Sequence, residues 1–156
     1  MSPSSTSRVG IGTTAPDFSL TDDQGNTVTL QDTFGPAGTV LIFYPGDMTP
    51  GCTVQLCSIR DDWAKFRDAG LTVYGVNHAD AHSHSRFRTV HGLPFPLLID
   101  TNLVVSQAYG AIRSFFGKHL IRRTVVGIDS KGTILFYMHG MPKDTDILKA
   151  FTQKNS

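Results

Sequence analysis

Thr39-Val40-Leu41-Ile42-Phe43-Tyr44-Pro45-Gly46-Asp47-Met48-Thr49-Pro50-Gly51-Cys52-Thr53 passes from an apolar run, through a break, into the start of a helix. The run Thr39–Tyr44 is continuous and carries β-branched residues. It is short enough for a strand buried on both faces, as parallel sheets require. Pro45 and Gly46 end it. Thr49 can then serve as an N-cap, and Pro50 suits the first helical position, where a missing N–H costs nothing. Leu56, Ile59, Trp63 and Phe66 follow at spacings of three, four and three. That is one apolar stripe of a helix reaching about Ala69, with Gly70 as its stop.

Outward from this strand–helix unit the chain keeps alternating. Asp22–Asn26 is a turn cluster, followed by a short strand at Thr27–Leu30. After Gly70 come a strand at Leu71–Val76 and a helix over Asp80–His91 that ends at Gly92. Next are a strand at Leu97–Ile99 and a short helix at Leu103–Tyr109. Asp129-Ser130-Lys131-Gly132 joins strands at Thr124–Ile128 and Thr133–Met138, and a last helix starts near Pro142 and runs to about Gln153. Alternation followed by a hairpin predicts an α/β, single-domain, thioredoxin-like fold with a central mixed β-sheet flanked by helices. Residues 1–8 are small and Ser-rich and read as a disordered tail, leaving 9–156 as the domain.

Composition narrows the function. The 156 residues carry a net charge of +1 with His neutral, and 40% are apolar. That is enough for one core. No Lys/Arg run provides a phosphate-backbone footprint, so nucleic acid is excluded as the expected partner. The N-terminus has no apolar signal region, and no stretch reaches the ~18 apolar residues of a membrane span. The expectation is a protein with no membrane association that stays cytoplasmic.

Cys52 falls in the first turn of the expected helix, where unpaired N–H groups and the positive dipole end lie. Both favour a thiolate, which is how a fold activates a sulfur nucleophile without a metal. Position alone leaves a buried structural cysteine equally open.

The flanking residues decide it. Pro45, Thr49 and Cys52 match the peroxiredoxin pattern of Pro, three residues, Thr or Ser, two residues, Cys. The string Thr49-Pro50-Gly51-Cys52-Thr53 resembles the peroxiredoxin Q, or bacterioferritin comigratory protein, group. So do Ala15-Pro16-Asp17-Phe18, Ser83-His84-Ser85-Arg86-Phe87, Leu93–Asp100 and Tyr109-Gly110. The resemblance implies a thiol-dependent peroxidase acting on hydrogen peroxide and organic hydroperoxides, with Cys52 as nucleophile. Thr49 would hydrogen-bond the thiolate and peroxide, and Pro45 would shield them from water. An arginine six positions before the turn Asp129 would be Arg123, with Arg122 as the weaker rival. A fixed guanidinium can stabilise charge on the departing oxygen. The resemblance further implies that Cys57 resolves the oxidised Cys52 as an intrachain disulfide, that thioredoxin or a similar dithiol reduces it, and that the chain is a monomer needing no cofactor or metal.

Geometry adds a condition. Five helical residues set two Cα atoms roughly 8.7 Å apart, and a disulfide tolerates about 7 Å. The first turns must therefore unwind for Cys52 and Cys57 to join. Gln55 stands where many members of the group carry Glu, and Gly46 where Lys is frequent. His78, His82, His84 and His91 cluster in sequence, but no Cys ligand set accompanies them, so they read as a solvated helix face with His84 structural. A thiol–disulfide oxidoreductase, or a non-enzymatic peroxide sensor, on the same fold are the alternatives.

Overall fold

The computed structural model describes residues 9–154, so the tail expected at 1–8 lies outside the described residues. The elements in chain order are β1 (Ser19–Asp22), β2 (Thr27–Thr29), α1 (Leu30–Thr33), β3 (Gly38–Phe43), α2 (Pro50–Asp61), α3 (Trp63–Asp68), β4 (Leu71–Asn77) and α4 (Ala81–His91). They continue with β5 (Leu97–Ile99), α5 (Val104–Ala108), β6 (Ile112–Phe115), β7 (Lys118–Ile121), β8 (Thr124–Asp129), β9 (Ile134–His139) and α6 (Asp144–Lys154). Seven strands form one mixed sheet in the order β2-β1-β5-β4-β3-β8-β9, and β6 and β7 form a separate hairpin. The domain has the thioredoxin-like architecture.

The apolar run sits at the centre for the reason its composition gives. Every residue of β3 is buried. It pairs in parallel with β4 and antiparallel with β8. Val40, Ile42 and Tyr44 enter one core cluster with Leu56, Ile59, Phe66, Phe87 and Phe95. Leu41 and Phe43 alternate into the other with Tyr109, Val126 and Ile134. Each such side chain contributes roughly 1.5–3 kcal/mol by leaving water, and truncating Leu56 to Ala would cost about 2–5 kcal/mol. Gly38 opens β3 at φ +133°, where an added Cβ would overlap the Ile128 carbonyl oxygen of β8; no other residue fits there.

The long helix expected from Pro50 to Ala69 is two helices. It breaks at Asp62, whose N–H bonds the carbonyls of Ser58 and Ile59, and restarts at Trp63. The apolar stripe survives the break because Leu56, Ile59 and Phe66 all still reach the core. Asp80 caps α4 by accepting from the Ser83 N–H at 2.9 Å, and Gly92 ends it at φ 60°, the stop expected from the sequence. Three pieces lie outside the sequence-based reading: β1, α1 and the β6–β7 hairpin.

Candidate active site

The turn Pro45–Thr49 crosses the C-terminal end of β3 and delivers the chain into α2. Thr49 holds the N-cap position with extended backbone (φ −82°, ψ 148°), and Pro50 is the first helical residue. Cys52 is then the third residue of the helix, and the Thr53 N–H closes the first turn onto the Thr49 carbonyl at 2.8 Å. The N–H groups of Gly51 and Cys52 are left without intrahelical partners and point toward the helix start. Cys52 is fully buried, and it packs against the cluster that holds Tyr44 and Leu56. Cys57 is half-buried five residues along, and both thiols are free. With α2 unbroken from Pro50 to Asp61, the pair is held at the helical separation that forbids a disulfide.

Thr49 does not cap with its side chain; its hydroxyl donates to the Gly46 carbonyl at 2.9 Å. That bond closes the turn and leaves the hydroxyl lone pairs free to accept. Pro45 is exposed on the outer side of the turn.

The two candidate arginines separate cleanly. Arg123 reaches α2: its Nη1 donates to Gln55 Oε1 at 2.8 Å, and a Cβ at Gly51 would stand only 3.0 Å from Nη2. Glycine one residue before the cysteine is what lets the guanidinium approach. Arg122 is exposed on the neighbouring cleft instead. Gln55, buried, completes its amide with a 3.4 Å bond to the Gly140 carbonyl. Being neutral, it orients Arg123 without cancelling its charge, as a glutamate there would.

A second set of side chains, legible only in part from the sequence, holds the turn from behind. Asp47 turns inward. It accepts from the Tyr44 hydroxyl at 2.6 Å and the Ser83 hydroxyl at 2.6 Å, and His84 Nδ1 lies 2.7 Å away. His84 is fully buried, and its Nε2 faces the Leu98 carbonyl at 3.0 Å, so both ring nitrogens meet acceptors. Asn77 ties in the Tyr44 carbonyl at 2.7 Å. Burial pushes the Asp47 carboxyl up, but the donors from His84, Ser83 and Tyr44, with the His84 charge, outweigh it and hold it below the usual range. The Tyr44 hydroxyl is pushed well above its ordinary value by burial, by Asp47 and by the Cys52 charge. His84 is thus spent on Asp47 and Leu98. Among the described residues no group of three or more His, Cys, Asp or Glu is placed to hold a metal ion.

Outside the turn a cleft of about 630 Å³ opens between Pro45, Leu103, Arg122, Arg123, His139 and the β6–β7 hairpin. A buried sulfur at a helix N-terminus, and an arginine that packs against its first turn and also lines the open cleft, are the groups that attack on a small electrophile and stabilisation of its leaving anion require.

Residues 11–137 match the AhpC/TSA family. The chain belongs to that family. Within it, this AhpC/TSA protein falls in the peroxiredoxin Q and Bcp group. It is 38% identical over 130 residues to the putative peroxiredoxin bcp of Coxiella burnetii (strain RSA 493 / Nine Mile phase I), covering 81% of this chain and 85% of that one. It is 40% identical over 129 residues to the chloroplastic peroxiredoxin Q of Triticum aestivum, covering 83% of this chain and 58% of the wheat protein. The chain thus spans little more than half the length of that plant relative. The crystal structure of peroxidoxin BcpB from Mycobacterium tuberculosis superposes with a TM-score of 0.88 at 27% identity, covering 96% of this chain and 100% of that one. Among the described residues no helix is long and apolar enough to cross a membrane.

Proposed function

We propose that the protein is a thiol-dependent peroxidase that reduces hydrogen peroxide and organic hydroperoxides. The observation that carries this reading is the placement of Cys52 in the first turn of α2 with the Arg123 guanidinium against Gly51. The Cys52 thiolate attacks the outer oxygen of the hydroperoxide. An S–O bond forms as the O–O bond breaks; the alkoxide or hydroxide leaves with the electron pair and takes a proton to become the alcohol or water. Cys52 is left as sulfenic acid. Arg123 and the first-turn N–H groups stabilise the charge that gathers on the departing oxygen, a role supported by the approach of the guanidinium to Gly51. Thr49, with hydroxyl lone pairs and a fixed rotamer, positions the peroxide, and Pro45 covers the outer side.

Cys57 then attacks the sulfenic sulfur. The S–S bond forms, the S–O bond breaks, and water leaves. An external dithiol, thioredoxin or a protein like it, reduces the disulfide and is itself oxidised to one. The resolving thiol on the same helix supports a monomer, and a cycle driven by a dithiol reductant suits the reducing cytoplasm. Because α2 is intact with both thiols free, turnover includes unwinding of its first turns. The spacing from Cys52 to Cys57 is not the Cys-x-x-Cys of thiol–disulfide oxidoreductases.

The test is peroxide consumption coupled to thioredoxin, its reductase and NADPH. NADPH oxidation should require both this protein and peroxide. Reduction of insulin disulfides without peroxide, or no peroxide-dependent turnover, would defeat the reading.

A further inference from the structure

From Thr101 to Ile128 the sequence holds no Asp or Glu, yet Arg113, Lys118, Arg122 and Arg123 fall within it. The fold gathers three of them, Arg113, Arg122 and Arg123, around the cleft of about 630 Å³, and no carboxylate lines that cleft. The acid that precedes the segment, Asp100, is buried and committed elsewhere. It accepts from the Ser106 N–H and hydroxyl, both at 2.7 Å, and from the Val105 N–H at 3.3 Å.

The hairpin register concentrates the charge. Arg113 of β6 stands opposite Leu120 of β7, and the Arg122 N–H bonds the Ala111 carbonyl at 2.7 Å two residues further along the ladder, past the pair Ile112 and Ile121. Directly opposed residues share a face, so Arg113, Leu120 and Arg122 project to the same side as close diagonal neighbours. Two like charges so placed repel. Among the described residues neither is paired with a carboxylate. The field reaches across the cleft: His139 is held below its ordinary value first by burial and then by the Arg122 charge. Leu103, Leu120, Ile121 and Pro45, the last in the turn that leads to Cys52, supply apolar lining to the same cleft.

We propose that this cleft selects organic hydroperoxides that carry an anionic group, with Arg113 and Arg122 receiving the anion at the rim. The inference rests on the peroxidase reading and refines it. The apolar body lies against Leu103 and Leu120, and the hydroperoxide end points past Pro45 to Arg123 and Cys52. Arg123 is engaged with Gln55 and the reacting oxygens, which leaves the two hairpin-side arginines for recognition. An anion between them relieves their mutual repulsion as well as gaining its own contacts.

A matched pair of substrates tests it: 4-carboxycumene hydroperoxide against neutral cumene hydroperoxide. The ratio of their kcat/KM values should exceed one by about five- to tenfold at low salt, as two solvent-facing charge contacts allow. It should shrink as ionic strength rises. In Arg113→Gln/Arg122→Gln the ratio should fall to about one. A ratio of one in the wild type, or an unchanged ratio in the double variant, overturns the inference. The same holds if the double variant leaves the ratio alone and instead raises the KM for thioredoxin, which would make the cationic face a docking surface for the reductant. If no hydroperoxide is reduced at all, the peroxidase reading fails separately. The cleft is then tested by binding of the product 4-(2-hydroxypropan-2-yl)benzoate. Nuclear magnetic resonance should show shifts in the amides of β6 and β7 that the double variant abolishes, and equal shifts with neutral cumyl alcohol would refute the recognition.

Discussion

Replacing Asp47 by Ala should destabilise the reduced protein more than replacing any residue on its surface. The Asp47 carboxylate accepts from Tyr44, Ser83 and His84 at 2.6, 2.6 and 2.7 Å. Ser83 is half-exposed and can turn to water, but Tyr44 and His84 are fully buried and cannot. Each buried donor left without its acceptor costs about 1–3 kcal/mol, so the loss is roughly 2–6 kcal/mol. That is a large share of the ~5–15 kcal/mol that holds a domain together. At about 2–4 °C per kcal/mol for a chain of this size, Tm should fall by on the order of 10 °C. Asp47→Asn keeps one oxygen acceptor and should lose less. It should also flatten the acid limb. A carboxyl held below its unfolded value adds stability above about pH 3.9 and loses it as pH falls through its folded value. The assay is urea unfolding of both variants between pH 3 and pH 7 (a range set by the ordinary carboxyl value of about 3.9), with the single-turnover peroxide rate measured on the folded fraction. If Asp47→Ala unfolds within about 1 kcal/mol of wild type, the buried donors are satisfied without it and the network does not hold the turn.

Arg123→Ala should slow the first peroxide turnover about a hundredfold, as loss of one preorganised donor typically does, and Arg122→Ala should slow hydrogen peroxide reduction far less; stopped-flow rates in the reverse order would place the wrong arginine at the turn. Cys57→Ser should complete its first turnover but fail to recycle with thioredoxin, and excess peroxide should then carry Cys52 to sulfinic acid, visible by intact mass. Asp144→Asn should stabilise the protein at pH 7 by a modest amount and not below pH 4. The Asp144 carboxyl is pushed up to about 6, by burial and then by Asp62, so its native form loses stability as pH rises from about 4 through 6. Urea unfolding at both ends of that range checks the sign, and equal stability of variant and wild type at pH 7 would contradict it.

Much of the frame was legible because single residues carried several signals at once. Thr49 and Pro50 place the start of α2, the stripe Leu56, Ile59, Trp63, Phe66 runs through α2 and α3, and Asp80 and Gly92 bracket α4 within a residue. The β6–β7 hairpin was not legible. Its strands read Ile-Arg-Ser-Phe and Lys-His-Leu-Ile, with no clean alternation, and its turn puts Phe116, a residue that signals no turn, at φ 51°. The break at Asp62 was hidden because restarting the helix preserved the apolar period. Long-range polar contacts left the faintest trace. The bonds from Ser83 and His84 to Asp47 span 36 and 37 residues, and no local pattern announces them. Gln55 looked like a neutral variant of a common Glu; only the bond to Arg123 gives it a part in the site.

The central claim is that Cys52 is the nucleophile and Cys57 its partner on the same chain. One equivalent of hydrogen peroxide added to the reduced protein, followed by intact mass and a non-reducing gel, tests both halves together. The account predicts loss of two hydrogens, a monomeric band, and no such change in Cys52→Ser. Peroxide consumption that persists in Cys52→Ser, or a disulfide-linked dimer in the wild type, would contradict it.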